Sequence, residues 1–182
     1  FQVAQNLYKK ILDIDPEHFE SIFLLGSLSV QTKNFDLAKS LLQKAIQIKP
    51  DYAEAHYNLG NLLIELGEIQ KAIISYQKAI QIKPDYADAH NNLGIIFYEL
   101  GEYQKAIGCY EKAIQINPNY ANAHNNLGNI FKILNDHQKA IGCYEKAIQI
   151  NSNYVDAHNN LGIVFKDLGE YQKAISCYEK TI

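Results

Sequence analysis

The hexapeptide AHNNLG occupies residues 89–94, returns at 123–128 and again at 157–162, and residues 55–60 read AHYNLG. Successive copies lie 34 residues apart. A period of this length restricts the architecture more than any other feature, because so short a unit cannot enclose a core of its own and has to stack on its neighbours. Pro16, Pro50, Pro84 and Pro118 mark one phase of the period, with Ser152 at the fifth position. Gly26, Gly60, Gly94, Gly128 and Gly162 mark a second. Ala38, Ala72, Ala106, Ala140 and Ala174 mark a third, followed by Tyr76, Tyr110, Tyr144 and Tyr178. These phases divide the chain into an opening segment 1–18, four whole repeats at 19–52, 53–86, 87–120 and 121–154, and a shortened repeat at 155–182.

Local signals predict a helix–turn–helix in each unit. Leu66-Gly67 and Leu100-Gly101 predict a first helix closed by a glycine just past its end, with the second helix starting two residues later. Asp51 with Glu54, and Asp85 with Asp88, predict an aspartate N-cap with an acidic residue three positions on, just after a proline. Gly60 and its equivalents fall mid-helix, where glycine costs about 1 kcal/mol relative to alanine. Close approach of the paired helix is the expected compensation.

In each unit a small residue precedes L-G, an aromatic or apolar residue follows, and A, Y, A and P come after at fixed offsets. With this pattern the chain resembles the tetratricopeptide repeat family from end to end, departing from it where His replaces the family's usual Trp. The resemblance implies an all-α fold, a right-handed superhelical solenoid of eleven helices in antiparallel pairs, forming one domain over 1–182. Residues 1–18 are then the second helix of a partial repeat, and 155–182 a truncated one. It also implies that the first helix of each repeat lines the concave surface. The second, fifth, sixth, ninth, twelfth and thirteenth residues of each repeat then face the groove.

On that assignment the sixth place holds Asn58, Asn92, Asn126 and Asn160. The fifth holds Tyr57, Asn91, Asn125 and Asn159, and the ninth Asn61, Ile95, Asn129 and Ile163. A primary amide carries a donor and an acceptor side by side, matching the N–H and C=O of a peptide backbone. With about 3.3 Å per extended residue and about 10 Å between repeats, a rung would meet every third residue of a bound chain. Each contact is worth about 0.5–1.5 kcal/mol net, so several are needed. The asparagine row is similar to that of the tetratricopeptide superhelix of O-linked N-acetylglucosamine transferase, which binds acceptor polypeptides along it. The competing reading is a solvated relic of recent duplication. The first whole repeat differs: Phe23 and Leu24 stand at the amide places, Val30 at the twelfth and Ile22 in place of His. This end of the groove is either a pocket anchoring one apolar side chain of a bound peptide, or a drifted repeat covered by a preceding helix.

Composition removes other classes. The formal charge is −3 and all 17 basic residues are lysine, so no guanidinium fork is available for phosphate, and a nucleic-acid partner is not expected. No apolar run approaches the about 18–20 residues of a membrane span. His56, His90, His124 and His158 are in register, but metal ligands converge within about 2–2.5 Å of one ion, so they read as core histidines and no metal is expected. No nucleophile–base pair, phosphate loop or catalytic carboxylate pair is present, so neither catalysis nor a cofactor is expected. Cys109, Cys143 and Cys177 are one repeat apart, too far to pair, and suit a reducing, cytoplasmic setting. Groove acids (Glu20, Glu54, Asp88, Asp156, Glu65, Glu99, Asp167) outnumber Lys132 and Lys166, favouring neutral or basic peptides.

The expected function is a non-enzymatic protein–protein interaction scaffold that binds an extended polypeptide. The alternative is the substrate-recruiting arm of a larger peptide-modifying enzyme such as an O-glycosyltransferase. The chain starts at Phe1, and neither end carries the polar face of a capping repeat. It therefore reads as part of a longer solenoid whose ends, exposing Val3, Leu7 and Ile11, would self-associate.

Overall fold

Apolar residues recur at three- and four-residue spacing between the turn signals, so each segment can bury one stripe as a helix. The computed structural model describes residues 2–181, and among these the chain forms eleven helices and no strand. In order they are α1 Gln2–Ile14, α2 Phe19–Gln31, α3 Phe35–Ile48, α4 Ala53–Glu65, α5 Ile69–Ile82, α6 Ala87–Glu99, α7 Tyr103–Ile116, α8 Ala121–Ile133, α9 His137–Ile150, α10 Val155–Asp167 and α11 Tyr171–Glu179. The expected segments 1–18 and 155–182 include Phe1 and Ile182, which lie outside the described residues. No helix among the described residues is long and apolar enough to cross a membrane.

Contacts group the chain into two units, one running to Ala89 and the other from His90, the division falling within α6. In the first, α2 packs on α3 and α4 on α5, α1 and α4 lie against α2 and α3 respectively, and α2 also meets α4. In the second, α8 packs on α9 and α10 on α11, α7 joins α8, α9 joins α10, and α8 also meets α10. Within each unit these consecutive helices are thus packing partners, and the first helices of successive repeats, α2 with α4 and α8 with α10, lie side by side.

The turn inside each pair is closed by backbone geometry. The Gly67 N–H donates to Ile64 O at 2.9 Å and the Glu68 N–H to Leu63 O at 2.8 Å, with Gly67 at φ 71°. Lys33 and Asn135 take the same left-handed conformation, each at φ 57°. A non-glycine residue there bears about 1–2 kcal/mol that glycine avoids. At the turn between repeats, Lys83 before Pro84 has φ −127° and ψ 88°. Asn151 before Ser152 has φ −131° and ψ 97°, so the turn persists without the proline. The Asn151 side chain supports it by accepting from the Asn153 N–H at 3.2 Å.

The aspartate N-caps expected from the sequence are a point of difference. The cap of α4 is Tyr52, which makes no side-chain capping bond, and Asp51 sits in the preceding turn. Asp85 likewise stays in the turn before Tyr86. The tyrosine occupies the junction because its ring is needed in the core: Tyr52 meets Phe19 and Phe23 edge-on, each at 5.0 Å.

Small residues set the packing distance inside each pair. Ala38, Ala72, Ala106 and Ala140 are fully buried. Tyr76, Tyr110 and Tyr144 are buried against the mid-helix glycines, where a Cβ on Gly60 would lie 2.6 Å from Cε1 of Tyr76. Burying each such aromatic ring contributes roughly 1.5–3 kcal/mol, which offsets the helix penalty of the glycine opposite.

Candidate functional site

The first helices place the asparagines, and the structure separates the two members of each NN pair. Sixth-place Asn58, Asn92, Asn126 and Asn160 are half-buried on the surface. Fifth-place Asn91 and Asn125 are only 4% and 5% exposed, so they do not face an open groove as expected. Their amides serve the scaffold. In the second unit Asn126 Nδ2 donates to Asn91 Oδ1 at 3.4 Å, and Asn160 Nδ2 donates to Asn125 Oδ1 at 3.2 Å. Asn91 Nδ2 also donates to Asn92 Oδ1 at 3.3 Å. Each buried amide therefore grips the surface amide of the following repeat. Asn159 is exposed. In the first unit Tyr57 fills the fifth place, and Asn58 Nδ2 instead donates to Ser27 Oγ at 2.8 Å.

Two ninth-place amides hold a buried tyrosine rather than facing outward alone. The Tyr76 hydroxyl donates to Asn61 Oδ1 at 2.6 Å, and Tyr144 to Asn129 Oδ1 at 2.8 Å. Tyr110 faces Ile95 at the same place, and among the described residues its hydroxyl has no hydrogen-bond partner. A hollow of about 200 Å³ opens here, lined by Ile95, Tyr98, Glu99, Tyr110, Asn126 and Asn129. Burial pushes the Tyr110 phenol up, with Tyr98, Cys109 and Glu99 adding to the shift, so its proton stays in place. Sequence reasoning named Ile95, Glu99 and the two asparagines for the groove but not the hollow itself. Ile95 in the ninth place, where Asn61 and Asn129 stand in the neighbouring repeats, is the signal that the sequence offers.

At the apolar end, Phe23 stacks on Phe19 at 6.2 Å and packs with Ile22 and Tyr52, whereas Leu24 is 41% exposed. Tyr52 meets the Phe23 ring edge-on at 5.0 Å. A smaller hollow of about 110 Å³ lies further along, lined by Ser27, Val30, Gln31, Asn58 and Asn61.

The histidines have a definite structural task. Their Nε2–H groups donate across the inter-repeat turn, His56 to Pro50 O at 2.9 Å, His124 to Pro118 O at 3.1 Å and His158 to Ser152 O at 2.9 Å. No group of His, Cys, Asp and Glu among the described residues could hold a metal ion. The three cysteines are free, and burial pushes the Cys109 and Cys143 thiols up to about 11, away from the reactive thiolate.

The acidic character of the face is smaller than the sequence count. Glu20 pairs with Lys49 at 3.4 Å and Glu54 with Lys83 at 3.2 Å. Glu65, Glu99, Asp156 and Asp167 form no ion pair with described residues. Lys132 leans on Asn160 Oδ1 at 3.3 Å. Four second-helix lysines are paired at their own helix starts: Lys71 with Glu68, Lys105 with Glu102, Lys139 with Asp136 and Lys173 with Glu170.

A sequence profile described as TPR repeat matches residues 60–101, 95–132 and 128–169. Two more, described as tetratricopeptide repeat, match residues 29–74 and 157–182. No curated protein sequence matches the chain. Among solved structures, MamA is 28% identical with a TM-score of 0.78, over 86% of this chain and 92% of its own. PilF of Pseudomonas aeruginosa is 26% identical with a TM-score of 0.83, over 90% of this chain and 74% of its own. YrrB, described as a TPR protein with an unusual peptide-binding site, is 19% identical with a TM-score of 0.76, over 96% and 90%. At that identity the likeness is one of fold.

Proposed function

Because the chain belongs to the tetratricopeptide repeat family, whose helix pairs present a surface for protein partners, we propose that it is a non-enzymatic scaffold holding an extended polypeptide by its sixth-place amides. The observation that carries this reading is the division of labour in the NN pairs at 91–92 and 125–126. The buried amide fixes the surface amide, through Asn91 to Asn126 and Asn125 to Asn160. An Asn held this way still has a second N–H and acceptor capacity on its oxygen. Its rotamer is already restricted before a ligand arrives, which lowers the entropic cost of binding. The carboxylates Glu65, Glu99, Asp156 and Asp167, which form no ion pair among the described residues, favour a neutral or basic peptide over an acidic one. The three semi-buried free thiols accord with a reducing, cytoplasmic setting. The same fold carries a peptide site in YrrB.

The test is a triple substitution of Asn92, Asn126 and Asn160 to Ala, with binding of a blocked, uncharged, lysine-free twelve-residue peptide measured well below the melting temperature. Binding should weaken by at least about tenfold while helicity is kept, given about 0.5–1.5 kcal/mol per contact. Equal affinity for the variant and the original chain overturns the reading.

A further inference from the structure

The hollow on the second unit, between α6 and α8, differs from its counterpart on the first in the chemistry of its walls. On the first unit the hollow holds about 110 Å³ and is lined by Ser27, Val30, Gln31 and two amides, with no carboxylate. No tyrosine lines it, since Leu42 stands there in the repeat place that Tyr110 holds on the second unit. On the second unit the space is about 200 Å³, still below the about 300 Å³ at which pockets for drug-sized ligands begin. It suits a single side chain. Tyr110 is 1% exposed and lines this space, and Ile95 stands where Asn61 and Asn129 bond the tyrosines of the neighbouring repeats. Asn126 spends one N–H on Asn91 and keeps its oxygen, and Glu99 brings a carboxylate without an ion-pair partner among the described residues. Three acceptors therefore surround the mouth, while Ile95 and the Tyr98 ring supply an apolar wall.

We infer that this hollow takes one lysine side chain of the bound polypeptide, its methylenes against Ile95 and Tyr98 and its ammonium among Glu99, Asn126 Oδ1 and the Tyr110 hydroxyl. The inference rests on the polypeptide-binding reading above and adds a side-chain preference to it. An ammonium offers three rotatable donors to three acceptors, and its stem matches the apolar wall. An acidic side chain meets Glu99 and is repelled. A purely apolar one would strip water from Glu99 and Tyr110 and return no hydrogen bond, which is costly for both groups. The Tyr98 ring adds a face on which a cation rests favourably.

The experiment uses the isotope-labelled full chain, titrated with n-butylammonium and separately with 1-butanol, observing the Ile95 methyl and Tyr110 ring resonances. The ammonium should produce saturable shifts that butanol does not. Glu99→Gln should weaken the apparent affinity by about tenfold, as expected for losing a hydrogen bond to a charged group. Tyr110→Phe keeps the ring against Gly94 and removes only the unpartnered hydroxyl, so its circular dichroism should be unchanged and its ammonium affinity lower. Ammonium shifts no larger than those from butanol, or an unaltered titration in Glu99→Gln, overturn the pocket. The lysine-free peptide of the preceding test separates the two readings. If that peptide binds while the ammonium titration fails, the lysine pocket falls and the amide reading stands. If the ammonium titrates while that peptide fails to bind, the pocket stands and the amide reading falls.

Discussion

Gly128 on α8 lies so close to the Tyr144 ring on α9 that a Cβ there would sit 2.7 Å from Cε1. The ring cannot retreat, since Tyr144 is fully buried and its hydroxyl is held by Asn129. Gly128→Ala should therefore destabilise the chain, overpacking of about 1–3 kcal/mol outweighing the gain of about 1 kcal/mol in helix propensity. Gly142, on the outer side of α9 with nothing within 4 Å of an added Cβ, is the control. Gly142→Ala should raise stability by about 0.5–1 kcal/mol. Urea denaturation of both variants checks the pair, and an equal sign for the two would contradict the packing argument.

The fifth-place amides should matter for stability according to their burial. Asn125→Ala removes a buried amide and leaves Asn160 Nδ2 without its acceptor, at an expected cost of about 1–3 kcal/mol. Asn159→Ala alters the same place where it is exposed, and should change stability by no more than about 0.5 kcal/mol. Comparison of their denaturation midpoints decides whether the row is structural at its inner edge.

Acid should act through Glu68. Hydrogen bonds from Lys39 at 2.6 Å and Lys71 at 2.5 Å hold its carboxyl down to about 2. The unfolded chain takes up this proton near the ordinary pKa of about 4.3, so it binds more protons than the folded chain between there and about 2. The contribution is present above that window and lost as pH falls through it. Glu68→Gln should flatten the pH dependence of the melting temperature in that range while leaving its slope near neutrality unchanged.

His124 titrates in the same sense at higher pH. Burial lowers its pKa from the ordinary value, with Lys146 adding to the effect and the bond to Pro118 O opposing it. The unfolded chain then protonates first, so the stability this neutral ring contributes is present above about 6.5 and lost as pH falls through its lowered folded value. A proton NMR titration of the imidazole should give a midpoint below that of a histidine in a short unstructured peptide. A midpoint at or above the peptide value would remove the linkage.

Several features were legible in the sequence because their causes are local and repeat every 34 residues. The first helices begin at Phe19, Ala53, Ala87, Ala121 and Val155, and the turn after α4 needs the left-handed backbone that Gly67 adopts without cost. The mid-helix glycines signalled a close neighbour for the same reason: a helix tolerates the lost propensity only where another chain element fills the space. The ladder was decided elsewhere. Adjacent residues on a helix point about 100° apart, so a modest rotation of the neighbouring repeat determines which asparagine of an NN pair is enclosed and which faces out. That rotation follows from how α8 and α10 settle on each other and on their partners, not from the hexapeptide itself. The same holds for Asp51, displaced from the cap because the Tyr52 ring is wanted between Phe19 and Phe23. It holds too for the hollow beside Tyr110, where one substitution at Ile95 changes what a buried hydroxyl in another helix can reach. Turns and helix limits depend on a residue and its near neighbours, whereas the orientation of a polar side chain depends on surfaces brought together only when the repeats stack.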